Sequence, residues 1–303
     1  MNDDDLKMLA TALAPPDMPD DAIDSGRHRL QKRMRGPVRK RRTGWLAAGL
    51  SLTAAAAAAA IVIASGATAP TATPNSPPVA AQPSSRQILL AAAATAERTP
   101  DGSGTYWYVK TVTRGAKGAE PNQFETWTRR DGQTWFRGAK SQGKVVRLAM
   151  PTPSRLGGAE VSVAQLEKLP TEPDALRAWI ADAVKRGDVR TSAGRPNAAM
   201  REQLVFHGLI SLVSQLPAPQ KVRAAAFRAI ASYPDVKDLG TVEGGHGLSI
   251  SYGGLTPARL VVDPATSRVR DTNVLVTADG ALMGVPSGGG ATVVTEWTNR
   301  LPE

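Results

Sequence analysis

The chain has 303 residues, 37 Lys+Arg against 27 Asp+Glu, three His and no Cys. The length allows one large domain or two ordinary ones. Zero cysteines exclude disulfides, thiolate zinc sites, iron–sulfur clusters and a cysteine nucleophile, and a formal charge of +10 raises the question of nucleic acid until the charge is located.

Residues 1–26 hold seven Asp and one Lys; residues 27–42 hold nine Lys/Arg and no acid; residues 43–85 hold no charge. Asp3 to Leu13, with Leu6, Met8, Leu9 and Leu13 as apolar positions, can form a short helix that Pro15-Pro16 ends, and Asp17 to Met34 can form a second. Two short helices there cannot bury a core of their own. Residues 1–44 are therefore either a docking segment for a cytoplasmic partner or a tail that orders only on binding.

Residues 45–65 are 21 in number, uncharged, and ten are Ala. A helix of that length spans about 30 Å, the thickness of a bilayer core. Leu46, Leu50, Leu52, Ile61, Val62 and Ile63 supply the insertion energy, and Trp45 sits where an interfacial aromatic belongs. Arg39, Lys40, Arg41 and Arg42 abut its N-terminal side, and no charge follows until Arg86. The positive-inside rule then predicts a single-pass protein with residues 1–44 cytoplasmic and the remainder extracytoplasmic. A cleaved signal peptide is the alternative, with Ala67-Thr68-Ala69 as the cleavage site, but a signal has a short leader and a shorter apolar core. The basic block becomes a topology determinant and an anchor on anionic headgroups. It lacks the interleaved aromatics that stack bases, which argues against nucleic acid.

Residues 66–85 contain five Pro among Ala, Thr and Ser, a semi-rigid linker at most about 60 Å long. The remaining 218 residues, 86–303, are enough for one core. Ser84 or Ser85 can cap a helix over 86–97; its Ile, Leu and Ala residues are apolar nearly all round and predict burial. Strands are predicted over 105–113, 124–130, 133–137 and 144–148, with Asp131-Gly132 as a two-residue hairpin signal. Ser162 with Gln165 forms a capping box. Thr171 can cap a helix with Pro173 in its first turn and Gly187 at its end. Helices follow over 197–216 and 219–232, then strands over 248–252, 258–263, 267–277 and 291–298, with Pro264-Ala265-Thr266 as a tight turn. Runs of hairpin-linked strands beside a run of helices predict an α+β fold: an antiparallel sheet with helices packed on one face.

Catalytic motifs are weak. Gly138-Ala139-Lys140-Ser141-Gln142-Gly143-Lys144-Val145 lacks the Ser/Thr after Lys and the following helix that a phosphate-binding loop needs. Gly288-Gly289-Gly290 reads as a loop, His246 as part of a turn, and His207 as structural. Ser249 and Ser251 lack a nucleophile elbow, and Asp263, Asp271 and Glu296 form no evident pair. The expectation is a protein that is not an enzyme and uses no cofactor or metal. Seven of the 14 aromatics fall within 31 positions, 106–136. They are either an ordinary sheet core or an apolar concave surface for a lipid, a lipoprotein tail or a protein segment. The candidate surface residues are Tyr106, Tyr108, Trp127, Trp135 and Phe136.

Several segments also carry a resemblance: QILLAAAATAE, TYWYVKTV, ETWTRRDGQTWFRG, LPTEPDALRAWI, PQKVRAAAFRAIASYPDV and ARLVVDPATSRV. With the tail, basic block, span and linker before them, the chain resembles an uncharacterised family of actinobacterial single-pass membrane proteins often encoded beside extracytoplasmic-function sigma factors. The resemblance implies a membrane-anchored extracytoplasmic sensor or binding protein that regulates or accompanies a sigma factor. Where family members carry an Asp-Gly-Arg-like turn, this chain has Glu243-Gly244-Gly245-His246. The outer domain is also similar in pattern to the LolA/RseB-like half-barrels, which implies a lipid or lipoprotein ligand. Neither resemblance supplies catalytic residues. The alternatives are an envelope structural or lipid-binding protein without signalling, and a secreted envelope enzyme.

Overall fold

The computed structural model describes residues 82–114, 120–190, 194–252, 256–276, 282–284 and 289–301. The predicted tail, span and most of the linker lie outside them, and with them Arg39, Lys40, Arg41, Arg42 and Trp45. Among the described residues no helix is long and apolar enough to cross a membrane.

The first helix, α1, runs Ser85–Arg98. Ser84 caps it with a reciprocal box: its hydroxyl accepts the Gln87 N–H and the Gln87 side chain accepts the Ser84 N–H at 2.8 Å. The expectation of burial all round is corrected. Ile88, Leu89, Ala92, Ala93 and Ala96 are buried, but Leu90 is 41% exposed, because a surface helix needs only one apolar stripe.

Four strands follow: β1 (Tyr106–Arg114), β2 (Asn122–Arg129), β3 (Thr134–Gly138) and β4 (Val146–Arg147). The β2–β3 hairpin has a three-residue loop, Arg130-Asp131-Gly132, rather than two. The Arg129 N–H donates to the Gln133 carbonyl and the Gly132 N–H to the Arg129 carbonyl, while Gly132 adopts φ +88°. The extra residue is the bulge that such loops add after a turn. Asp131 accepts hydrogen bonds from the Arg129 guanidinium and the Gln133 N–H, which hold its carboxyl at about 2.

A small hairpin that the pattern did not reveal, β5 (Ser154–Leu156) with β6 (Ala159–Val161), buries Leu156, Ala159 and Val161. The helical run is α2 (Val163–Leu166), α3 (Pro173–Arg186), α4 (Ala198–Ser214) and α5 (Gln220–Ala231). Ser162 caps α2 through the predicted box and Asn197 caps α4 through the Met200 N–H. The cap position of α3 is Glu172, without a side-chain hydrogen bond, rather than Thr171.

The second β region is β7 (Asp235–Val242), β8 (Gly245–Ser251), β9 (Ala258–Asp263), β10 (Arg268–Thr272), β11 (Val274–Val276), β12 (Leu282–Gly284) and β13 (Gly290–Thr298). The single strand expected over 267–277 breaks at Asn273, and β11 leaves to pair with β12. Strand β7 has no strand signal in the sequence, because Lys237, Asp238 and Gly240 give it no apolar alternation. It is an edge strand, and charge with a bulge at Asp238/Gly240 suits an edge that must not pair further.

The large sheet has the order β4-β3-β2-β1-β13-β10-β9-β8-β7, and its neighbouring strands run antiparallel throughout. Leu248, Ile250, Ala258, Leu260 and Val262 alternate inward on β8 and β9 and join one buried cluster with the helices. Helix α1 packs on α5 and on β7 and β9, α5 on α4, and α4 on β10 and β11. The alanines of α1 and α5 (Ala92, Ala93, Ala96, Ala224, Ala225, all buried) form their apolar faces. The fold is α+β, with an antiparallel sheet and helices against one face, as expected.

Candidate functional site

Strand register decides the fate of the aromatic candidates. In antiparallel pairs directly opposed residues share a face. Tyr108 is opposite Trp127, and Trp127 is opposite Trp135. Tyr106, two positions from Tyr108, is on the same side. Phe136, next to Trp135, faces the other way and is opposite Thr126. The five candidates therefore do not form one surface.

The four on the common face are stacked on one another. Tyr106 meets Trp135 edge-on at 5.4 Å and Tyr108 leans on Trp127 at 5.2 Å. The Arg137 guanidinium lies 5.3 Å from the Trp127 ring centre, and Trp127 is only 4% exposed. This face is the one opposite Trp107, whose indole N–H donates 2.7 Å to the Gln215 carbonyl at the end of α4. So the cluster sits on the helix-free side of the sheet, where Tyr108, Glu125, Trp127 and Arg137 line a shallow depression of about 570 Å³ together with Glu296 and residues 298–301.

A charge network completes it. The Tyr108 hydroxyl donates to Glu125 at 2.6 Å and Arg137 donates to the other carboxylate oxygen at 2.5 Å. Burial raises the Glu125 carboxyl, but the hydrogen bonds from Arg137 and Tyr108 outweigh it and hold the group below its usual range. Burial and the adjacent carboxylate push the Tyr108 phenol up. A depressed carboxyl contributes stability above its unfolded value, and that contribution is lost as pH falls through the folded value. Glu125→Gln is thus expected to be less stable than the parent at pH 7, with the gap narrowing below about 4.5. Acid titration of the unfolding midpoint checks this; a gap that stays constant to pH 2 contradicts it.

A cleft of about 650 Å³ lies elsewhere, among the loop before β1, the start of α5, the turn into β10 and the C-terminal end of β13. Trp107 and Trp297, 5.4 Å apart and edge-on, form one wall. Leu169, Ala218 and Val222 add apolar surface. Four cations line it: Arg130, Lys221, Arg223 and Arg268. Asp101, Glu167 and Glu296 line it too. Arg130 pairs with Glu167 and lies 4.1 Å over the Trp297 ring. Asp101 accepts the first N–H of α5, that of Gln220, at 2.5 Å.

Arg223 is the residue that sequence reasoning did not single out. It is 5% exposed. Its Nη1 donates 3.0 Å to the Val213 carbonyl in the last turn of α4, a favourable place for a cation, but its Nε has no partner among the described residues. No carboxylate pairs with it there. The signal was available: Phe227 and Ile230 stand four and seven positions on, so Arg223 lies on the buried stripe of its helix.

The remaining motifs resolve plainly. Residues Ala139–Ser141 form a single 3₁₀ turn rather than a phosphate loop. His246 is on β8, opposite Val262 and Thr241, not in the turn. Burial lowers the His207 imidazole below its ordinary value. Asp263 pairs with Arg270, and Asp271 with Arg114. Gly290 opens β13. No group of three or more His, Asp or Glu that could hold a metal occurs among the described residues.

No family model matches the chain, and no curated protein matches it. Among solved structures, a LolA superfamily protein from Nitrosomonas europaea is similar at 13% identity, over 72% of this chain and 95% of that one, with a TM-score of 0.21. A score of that size carries no structural argument, and the fold stands on this chain's own strands and helices.

Proposed function

We propose that the protein is a non-enzymatic, membrane-anchored binding protein of the cell envelope, with a single span at 45–65 and the 86–303 domain outside the membrane. The observation that carries the binding half is the cleft, where a buried guanidinium without a carboxylate partner faces a space large enough for a small ligand. The anchoring half rests on the uncharged segment and the Arg39, Lys40, Arg41 and Arg42 block beside it. In this reading the outer domain is a LolA-like half-barrel, supported by its open antiparallel sheet with helices on one face. The 1–44 tail docks a cytoplasmic partner such as a sigma factor, a step that rests on the sequence resemblance alone.

The absence of cysteine makes the test clean. Ser103→Cys places one thiol on the exposed rim of the cleft, and Met8→Cys places one in the tail. In cells making the full chain, a membrane-impermeant maleimide is expected to label the first directly and the second only after permeabilisation.

A further inference from the structure

The cleft's chemistry narrows its ligand. It is lined by aromatic and aliphatic carbon, from Trp107, Leu169, Val222 and Trp297, and by two guanidiniums from different elements, Arg223 of α5 and Arg268 at the start of β10. Arg268 spends one N–H on the Thr295 carbonyl, and no ion pair is formed by either arginine among the described residues. Two of the three cleft carboxylates are already engaged, Glu167 by Arg130 and Asp101 by the α5 N–H, and the third, Glu296, is opposite Tyr108 in the β1–β13 register and so on the other face of the sheet from Trp107 and Trp297; none is the counter-charge for the pair. That engagement also means the helix N-terminus is not the attraction; the guanidiniums are. A buried cation is ordinarily paired; a single guanidinium fork matches carboxylate and phosphate alike, but two guanidiniums in one cleft match the second charge and third oxygen that a phosphate group brings.

Resting on the binding reading above, we propose that the cleft is a site for a phosphate-bearing ligand, clamped between Arg223 and Arg268, with any apolar remainder lying against Trp107 and Trp297. Burial first, and the proximity of Arg268 second, bring the Arg223 guanidinium down to about 10. Two cations that line one cleft and disfavour each other are what a bound anion would relieve.

The test uses the full chain in dodecyl maltoside, a phosphate-free detergent, with indole fluorescence as the readout, since two of the six Trp line the cleft. The probes are inorganic phosphate, dihexanoyl phosphatidylglycerol and phosphate-free dihexanoylglycerol. A saturable change is expected with at least one phosphate-bearing probe and none at matched concentration with dihexanoylglycerol. Response to inorganic phosphate identifies a free phosphate group as sufficient; response to phosphatidylglycerol alone identifies a lipid headgroup. Arg268→Gln is expected to weaken the response at least tenfold, with Arg268→Lys intermediate. Arg223→Gln is expected to abolish it, but this variant also removes the bond to Val213, so the Arg268 pair decides. Unchanged affinity in folded Arg268→Gln overturns the inference. Binding of dihexanoylglycerol alone overturns it too and leaves the binding reading standing, whereas silence with all three probes overturns both.

Discussion

Phe227→Ala is expected to lower the stability of the folded domain by about 3–5 kcal/mol, the range for removing a fully enclosed phenyl ring. Phe227 is 0% exposed and has the largest volume among the fully buried side chains. It is carried by α5, which packs on α1, α3 and α4, so no neighbouring element is free to collapse into the cavity. The ring also shares its stripe with Arg223, four positions earlier. Thermal or urea unfolding of the full chain checks the size of the loss. A change below about 1 kcal/mol would show that the helical layer is loosely packed there.

Gly245→Ala is expected to be nearly as damaging, for a different reason. Gly245 begins β8 after the Glu243-Gly244 turn and has φ +146°, a region that side chains rarely adopt. A Cβ placed there would lie 2.2 Å from the Val262 carbonyl oxygen and 2.7 Å from its carbon. Those are backbone atoms of the neighbouring strand, held by the β8–β9 ladder, and they cannot swing aside as a side chain would. The φ strain costs about 1–3 kcal/mol and the overlap about 1–3 more. Gly143 is the control: its φ is +75° but nothing lies within 4 Å of the added carbon, so Gly143→Ala should show only a backbone cost of about 1–2 kcal/mol. Equal losses in the two variants would contradict the close approach of β8 to β9.

Much of this architecture is legible in the amino-acid sequence. Capping signals place α1 and α2 correctly because Ser84 and Ser162 act through local hydrogen bonds, and the apolar periodicity of 197–216 places α4. Strands with aromatic and β-branched alternation, β1, β9 and β13, are visible for the same local reason. The charged edge strand β7 is not, since an edge is selected for what it must avoid rather than for burial. The break at Asn273 is hidden too: its side chain accepts the Arg259 N–H and donates to the Pro257 carbonyl, contacts some 14 and 16 residues away.

The site is legible only in part. Aromatic density at 106–136 points to a real cluster, but period-two alternation sends Phe136 to the opposite face from Trp135, and the other four rings pack on one another. The cleft is invisible because its parts are far apart in sequence: Asp101, Glu167, Arg223, Arg268 and Trp297 meet only after the sheet has formed. A buried arginine on an apolar helical stripe is the one signal that local spacing does contain.

The central claim, that a cleft-bearing α+β domain is held outside the membrane by the segment at 45–65, is tested most directly by impermeant maleimide labelling of the two single-cysteine chains. The account predicts that the Ser103→Cys chain is labelled in intact cells and the Met8→Cys chain only after permeabilisation, with both retained in the membrane fraction. Labelling of Met8→Cys in intact cells, protection of Ser103→Cys until permeabilisation, or recovery of the Ser103→Cys chain in the soluble fraction would each contradict it.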